Sequence, residues 1–381
     1  MTIPAHPPIT TIGLMSGTSL DGVDAVLVRF EAGRMRQLGR ASLAFTPELR
    51  SALLTLARGN GADEIESMGD AGVELARIYA EAVHRVLADA CMTPGEVDAV
   101  GMHGQTIRHR PERGFTIQIG NAALLAELTG IDVVADFRSR DVAAGGEGAP
   151  LVPAFHAEAF RGTEPRIILN IGGIANASFL PAQGDPDAPV SGYDTGPGNM
   201  LLDAWVRRTT GEAFDRDGRL SGAGRVMPEL LEAALRDPYF SRKPPKSTGR
   251  EHFSEAWLDR FLESTPLDAR ASDIARTLAA LTAEAAAREA ERTMPSAESL
   301  FVCGGGSLNP VLMAELESRF AARTAVRRVD ATTALGIAPM DVEGAAFAWL
   351  AMRFLAGEPG NLPSATKAKG RRILGALYPA R

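Results

Sequence analysis

Asp194-Thr195-Gly196-Pro197-Gly198-Asn199 sets one carboxylate ahead of a Gly-Pro-Gly turn that opens a helix. A helix start offers unpaired N–H groups and the positive end of the macrodipole, both of which favour an anion. A carboxylate at a strand end facing that turn is placed to act as a general base. The plainer reading is that Asp194 caps or braces the turn. Upstream lies Asn170-Ile171-Gly172-Gly173-Ile174-Ala175-Asn176, a small polar turn between two apolar segments. Glycine lets a phosphate approach bare backbone.

A comparable turn stands near the start, at Gly17-Thr18-Ser19-Leu20-Asp21-Gly22-Val23-Asp24. Its hydroxyls and N–H groups suit phosphate oxygens, and Asp21 and Asp24 suit a hydrated Mg²⁺. No Gly-Lys-Ser/Thr follows, so it is not a Walker A loop. The alternative is an ordinary hairpin turn with two solvated aspartates. Late in the chain, Val302-Cys303 runs into Gly304-Gly305-Gly306, where adenosine can lie against bare backbone; a plain tight turn fits equally.

Asp136-Phe137-Arg138 follows an apolar strand, with Asp141 just beyond. Arginine presents a rigid fork suited to a carboxylate, though an internal Arg–Asp cluster explains the same letters. His103, at a strand end, and Glu343, in the first turn of the last helix, are further polar candidates with ordinary structural explanations. The basic run Arg242 to Glu251 suits a phosphate, a substrate acid or a solvated loop.

The elements that must position these residues read as α/β. Thr10–Leu14 and Val23–Phe30 form a hairpin around the first turn. Leu75, Ile78, Tyr79, Ala82 and Val86 mark an amphipathic helix over about 64–91. Strands are expected at 97–102, 115–119, 131–135, 166–169, 177–180 and 300–303. Helices are expected at 121–129, at 271–293, after Asn309-Pro310 and at 341–355. The two glycine-turn hairpins, near residues 10 and 167, hint at an internal duplication, although their letters do not repeat. A lobe boundary falls between Pro150 and Pro165, which gives expected lobes 1–155 and 156–381.

Composition narrows the function classes. With 381 residues and a net charge of −7, nucleic acid is not the expected main partner. Two cysteines, Cys91 and Cys303, exclude a disulfide framework and a four-cysteine zinc site. No secretory signal or run near the roughly 20 apolar residues of a membrane span is present, so a cytoplasmic protein is expected.

Read together and in order, these motifs resemble the anhydro-N-acetylmuramic acid kinases, within the superfamily of sugar kinases, actin and heat-shock ATPases. The resemblance rests on 12–24, His103-Gly104-Gln105-Thr106, Asp136-Phe137-Arg138, 141–146, 170–176, 194–199, 244–251, 303–306, 347–351 and 374–379. It implies a two-lobed ribonuclease-H-like ATPase fold with nucleotide in the interlobe cleft. It implies a kinase of peptidoglycan recycling that takes 1,6-anhydro-N-acetylmuramic acid, ATP and water to N-acetylmuramic acid 6-phosphate and ADP. Asp194 is then the base. ATP, with Mg²⁺ on Asp21 or Asp24, is expected at 17–24, Asn170, Gly172, Gly173, Gly196, Gly198 and Gly304–Gly306. The anhydrosugar is expected at His103, Asp136, Arg138 and Glu343, and the family implies a homodimer. Ser307-Leu308, where relatives more often show Ala followed by His or Arg, is a departure that bears on the nucleotide. The alternatives are another sugar or acid kinase of the same fold, or a non-catalytic protein that binds ATP or a sugar.

Overall fold

The computed structural model describes residues 7–17, 20–59, 61, 63–185, 188–244, 246–249, 252–263 and 269–381. Two units emerge. One joins residues 1–155 to 341–381, and the other spans 156–340.

The first unit begins with an antiparallel meander, β1 (Ile9–Met15), β2 (Gly22–Glu31) and β3 (Arg34–Ala44). β4 (Ala99–Met102) pairs parallel to β1. The β5 (Gln105–Arg110) and β6 (Phe115–Ile119) hairpin follows, and then β7 (Val133–Ala135) pairs parallel to β4. The helix Glu64–Asp89 buries Leu75, Tyr79, Ala82 and Val86 against this sheet, as their spacing predicts. Fully burying side chains such as Leu75 and Val86 contributes about 1.5–3 kcal/mol each.

In the second unit, β8 (Arg166–Ile171), β9 (Ile174–Leu180) and β10 (Ser191–Pro197) again form an antiparallel meander. β11 (Ser299–Cys303) runs parallel to β8, and β12 (Arg328–Ala331) parallel to β11. Its strand order, β10-β9-β8-β11-β12, repeats the β3-β2-β1-β4-β7 order of the first unit. The duplication hinted at by the two glycine hairpins is therefore one of topology, carried by pattern without shared letters. The helix Ala271–Thr293 is buried on nearly every side, and its alanines admit close neighbours. Both sheets are mixed and flanked by helices, which is the expected α/β class with two lobes on like sheets.

The chain's last segment differs from the expected 156–381 lobe, because residues 341–381 pack with the first unit. β13 (Ala376–Tyr378) pairs antiparallel with β7. The helix Val342–Leu355 lies directly on β1 and β4. Glycines permit this approach: a Cβ on Gly13 would lie 1.9 Å from the Gly344 carbonyl oxygen, and one on Gly101 2.2 Å from that of Phe347. Thr11 Oγ1 donates to the Ala348 carbonyl at 2.8 Å. The helix runs antiparallel to β1, so its first turn, with Glu343, stands at the end of the sheet where β1 and β4 finish.

Candidate functional site

At that end of the first sheet, the His103 amide donates to the Leu14 carbonyl at 3.0 Å, which ties the end of β4 to β1. The His103 ring is buried and packs 4.7 Å from Phe347 on the last helix. Arg138 donates to His103 Nε2 from Nη2 at 2.9 Å and from Nε at 3.3 Å. Burial, reinforced by the arginine's charge, holds the imidazole well below its ordinary range, so the ring is neutral. Burial also lowers Arg138, to about 10, while Glu343 acts in the opposite direction. Arg138 remains a cation at neutral pH. The structure thus brings His103, Arg138 and Glu343 into one group.

A buried carboxylate shapes the loop around Arg138. Asp141 accepts from Asn361 Nδ2 at 2.7 Å, Thr366 Oγ1 at 2.8 Å and the Gly148 amide at 2.8 Å. Gly148 in turn accepts from Arg138 Nη1 at 2.8 Å. The Arg–Asp proximity in the sequence is therefore not a direct ion pair. Asp141 fixes the carbonyl that aims Arg138. Asp136 stands exposed at φ +57°, in the left-handed region that aspartate tolerates better than most residues.

The first glycine turn is only partly a ligand-facing surface. Thr18 and Ser19 lie outside the described residues. The Gly17 carbonyl accepts from the Leu20 amide at 3.2 Å and from Gln105 Nε2 at 3.3 Å. Leu20 and Val23 are buried in the core, so their side chains do not face a ligand. A Cβ on Gly22 would lie 2.1 Å from the Leu43 carbonyl oxygen, so strand pairing explains that glycine. Asp21 is exposed, with Arg50 at 3.7 Å. Asp24 accepts from the Ser42 hydroxyl, and burial raises its carboxyl, with Asp341 adding to the rise. The two aspartates have different partners, and no cluster of three or more His, Cys, Asp or Glu exists among the described residues.

The second unit gathers its predicted residues more tightly. The amides of Gly198 and Asn199 donate to the carbonyls of Gly173 and Gly172 at 2.9 and 2.8 Å, and Met200 reaches Gly173 at 3.2 Å. The Gly172-Gly173 turn is thus laced to the start of the helix Met200–Thr210. A Cβ on Gly304 would meet Asn170 Oδ1 at 2.5 Å, and one on Gly306 would meet Ile171 at 2.4 Å, so the triple glycine closes on the same strand end. Gly196 faces the Phe240 ring, and packing explains it.

Three of these glycines have no such internal reason. A Cβ on Gly172 or Gly173 would meet nothing closer than 3.8 Å, and one on Gly305 nothing closer than 3.9 Å. None of the three has positive φ. An added side chain there would stand over open main chain.

Asp194 lies on β10, the edge strand, where the register with β9 shifts between Asp194 and Gly196. Its Oδ2 accepts from the Thr248 amide at 3.0 Å. Its own amide donates to the Lys246 carbonyl at 3.1 Å, and its carbonyl accepts from the Tyr239 hydroxyl at 2.7 Å. Sequence reading missed Thr248 and Tyr239 as partners of Asp194. It also left Lys246 open to a phosphate, a substrate acid or solvent; the side chain is instead buried against Glu289, with Nζ and Oε1 2.8 Å apart. Nothing in the run's letters points to a partner 43 residues away.

Comparison with known proteins follows the same residues. The family described as anhydro-N-acetylmuramic acid kinase matches over residues 9–380. A protein of that name from Burkholderia orbicola (strain MC0-3) is 51% identical over 379 residues, covering 99% of this chain and 98% of that one. Its namesake from Burkholderia vietnamiensis is 50% identical over 383 residues, with 99% and 98% covered. That from Burkholderia mallei (strain ATCC 23344) is 51% identical over 376 residues, with 96% and 97% covered.

Proposed function

The chain belongs to the anhydro-N-acetylmuramic acid kinase family, and from that membership we infer how its own residues carry the reaction. The protein is an ATP-dependent sugar kinase. It converts 1,6-anhydro-N-acetylmuramic acid, ATP and water to N-acetylmuramic acid 6-phosphate and ADP, a step of cell-wall recycling. Asp194 is the proposed base. It takes a proton from water as the water oxygen bonds to the anomeric carbon. The bond from that carbon to O6 breaks, its electron pair stays on O6, and O6 attacks the γ-phosphorus. The bond from the γ-phosphorus to the bridging oxygen breaks, and ADP leaves. Phosphoryl transfer of this kind needs in-line positioning and charge stabilisation above all.

The observation that carries this assignment is the trio Gly172, Gly173 and Gly305, where among the described residues neither close packing nor a positive φ calls for glycine. Two of them sit in the turn laced to the Met200–Thr210 helix start, whose dipole favours an anion. We assign the phosphates to Gly172, Gly173 and Gly198 with Asn170, and adenosine to the Gly304–Gly306 turn. The turn at 17–24 is the proposed phosphate-binding segment of the first unit, with Thr18 and Ser19 outside the described residues. On the first unit, Arg138 pairs with the lactyl carboxylate of the sugar. Neutral His103, Asp136 and Glu343 take its hydroxyl and amide groups.

Bound Mg²⁺ neutralises phosphate charge. Such a cation would draw on only one or two carboxylates of the protein. Asp21 fits, being exposed at the turn, whereas Asp24 is engaged by Ser42 and raised by burial. No helix among the described residues is long and apolar enough to cross a membrane. A cytoplasmic homodimer is part of the proposal.

The test is a coupled ADP-release assay with and without the anhydrosugar, on the native chain and on Asp194→Asn. ADP release that requires the sugar, yields a 6-phosphorylated reducing sugar and falls about 10²–10⁴-fold in the variant supports the reading. An Asp194→Asn enzyme with native kcat removes the base assignment.

A further inference from the structure

The basic run before Asp194's amide donor contains a lysine that no ligand can reach. Lys246 and Glu289 have side chains only 1% and 2% exposed. Removing two charges from water costs several kcal/mol per ion, which the pair recovers only when the remaining donors and acceptors are also satisfied. Here they are satisfied by the surroundings of Asp194. Lys246 Nζ donates to the Tyr239 carbonyl at 3.2 Å and lies 4.6 Å from that ring's centre. Glu289 Oε2 accepts from the Tyr193 hydroxyl at 3.2 Å, and Oε1 lies 3.3 Å from Arg292 Nη1.

These contacts bracket one position. Tyr193 precedes Asp194 in the strand. Tyr239 grips the Asp194 carbonyl, the Lys246 carbonyl takes the Asp194 amide, and the Thr248 amide meets its carboxylate. β10 is the sheet edge, and the register shift at Asp194 disturbs its ladder to β9. Edge backbone at a shifted register is the least constrained place to mount a base. The 246–248 segment adds constraint through the Lys246 carbonyl and the Thr248 amide, and the ion pair ties that segment to the long Ala271–Thr293 helix.

We propose that the buried Lys246–Glu289 pair is the positioning device of this kinase: it fixes the Thr248 amide on Asp194 and so holds the base in its working orientation. Lys246 and Glu289 touch neither sugar nor nucleotide, and they act through Asp194. The proposal rests on Asp194 as the base. Because an amide only donates, the carboxylate oxygen it meets must accept, which suits the ionised form that removes a proton.

Lys246→Met, Lys246→Arg, Tyr239→Phe and Asp194→Asn are each assayed per folded molecule, with the folded fraction measured by circular dichroism and ATP affinity by calorimetry. The expected result for Lys246→Met is a fall in kcat of about 100-fold, with KM for the anhydrosugar and Kd for ATP within about threefold, the split produced by a displaced catalytic group. Lys246→Arg restores most of kcat by keeping the charge. Tyr239→Phe, which removes only the hydroxyl on the Asp194 carbonyl, lowers kcat in the same sense without touching the ion pair. In the Asp194→Asn background, Lys246→Met adds no further loss. Native kcat in folded Lys246→Met beside an inactive Asp194→Asn overturns the positioning role and leaves the base assignment standing. A loss that multiplies in the Asp194→Asn background also overturns it. Native kcat in Asp194→Asn overturns the base assignment itself. If Lys246→Met does not fold, the Lys246→Arg and Tyr239→Phe results decide.

Discussion

The amide of Asn199 donates to the carbonyl of Gly172 at 2.8 Å, so a turn between two strands is fastened to a helix start 27 residues further on. The contact sorts the glycines around it into two kinds. Gly198 is demanded by the protein, since a Cβ there would lie 2.3 Å from the Gly172 oxygen. Gly172 and Gly173 are not.

Gly173→Ala is therefore expected to fold with unchanged or slightly higher stability, by up to about 1 kcal/mol, because alanine restricts the unfolded chain. Its KM for ATP is expected to rise at least about tenfold, since the methyl group would stand over main chain assigned above to the phosphates. Thermal unfolding and ADP-release kinetics on one preparation check both halves. Weakened folding with native ATP kinetics contradicts the prediction.

Gly198→Ala should behave in the opposite way. Backbone oxygen cannot yield as a flexible side chain can, so overpacking is expected to cost about 1–3 kcal/mol or more. Urea unfolding midpoints read this directly.

Arg138→Met removes the cation proposed to pair with the lactyl carboxylate. A hydrogen bond to a charged group is worth about 1.5–3 kcal/mol, so KM for the anhydrosugar should rise about 10- to 150-fold. An analogue lacking the lactyl group, 1,6-anhydro-N-acetylglucosamine, should be used equally well by both proteins. An equal loss on both substrates would instead make Arg138 a loop brace through Gly148.

Asp21→Asn is expected to raise the Mg²⁺ concentration for half-maximal activity at least about tenfold, whereas Asp24→Asn leaves it near native, since magnesium sites draw on few carboxylates. Magnesium titration of the steady-state rate distinguishes the two.

Stability should fall in mild acid because of His156. The ring is wholly buried, Nδ1 lies 2.9 Å from Ser178 Oγ, and burial lowers the imidazole to about 3. Between that value and the unfolded value near 6.5, the unfolded chain binds one more proton than the native one. Stability conferred by this site is complete above about pH 6.5 and drops by about 1.4 kcal/mol per pH unit below it. Urea unfolding at pH 7.5 and 5.0, repeated on His156→Gln, should show the smaller pH dependence in the variant.

What could be read from the letters was local. The Gly172-Gly173 turn, the helix at 64–89 and the strand at 299–303 each announce themselves through composition or period. Val23 shows the limit of motif reading, since a position inside a phosphate-type segment belongs to the core once strand alternation is imposed. Lys246 shows a second limit. A lysine among prolines and arginines reads as solvated, and its burial follows from Glu289 on a distant helix. The lobe membership of 341–381 was equally hidden. It depends on the close packing at Gly13 and Gly101, and on a three-residue strand, Ala376–Tyr378, whose partner the sequence does not name.

The first unit is interrupted in the chain, left after Phe155 and resumed at Asp341. A ribosome therefore releases every residue of the second unit before it makes the helix that covers β1 and β4. Until then, the glycine-lined strip of the first sheet has no lid, and its Arg138 loop lacks the Asn361 and Thr366 donors that satisfy Asp141. The 156–340 unit can close while the 1–155 sheet still waits, since domains generally fold as units in the order of synthesis. A prematurely terminated chain would thus carry a finished 156–340 unit and an unfinished first sheet. The His103–Arg138–Glu343 group is then completed last, because Glu343 and the side-chain donors to Asp141 all come from 341–381.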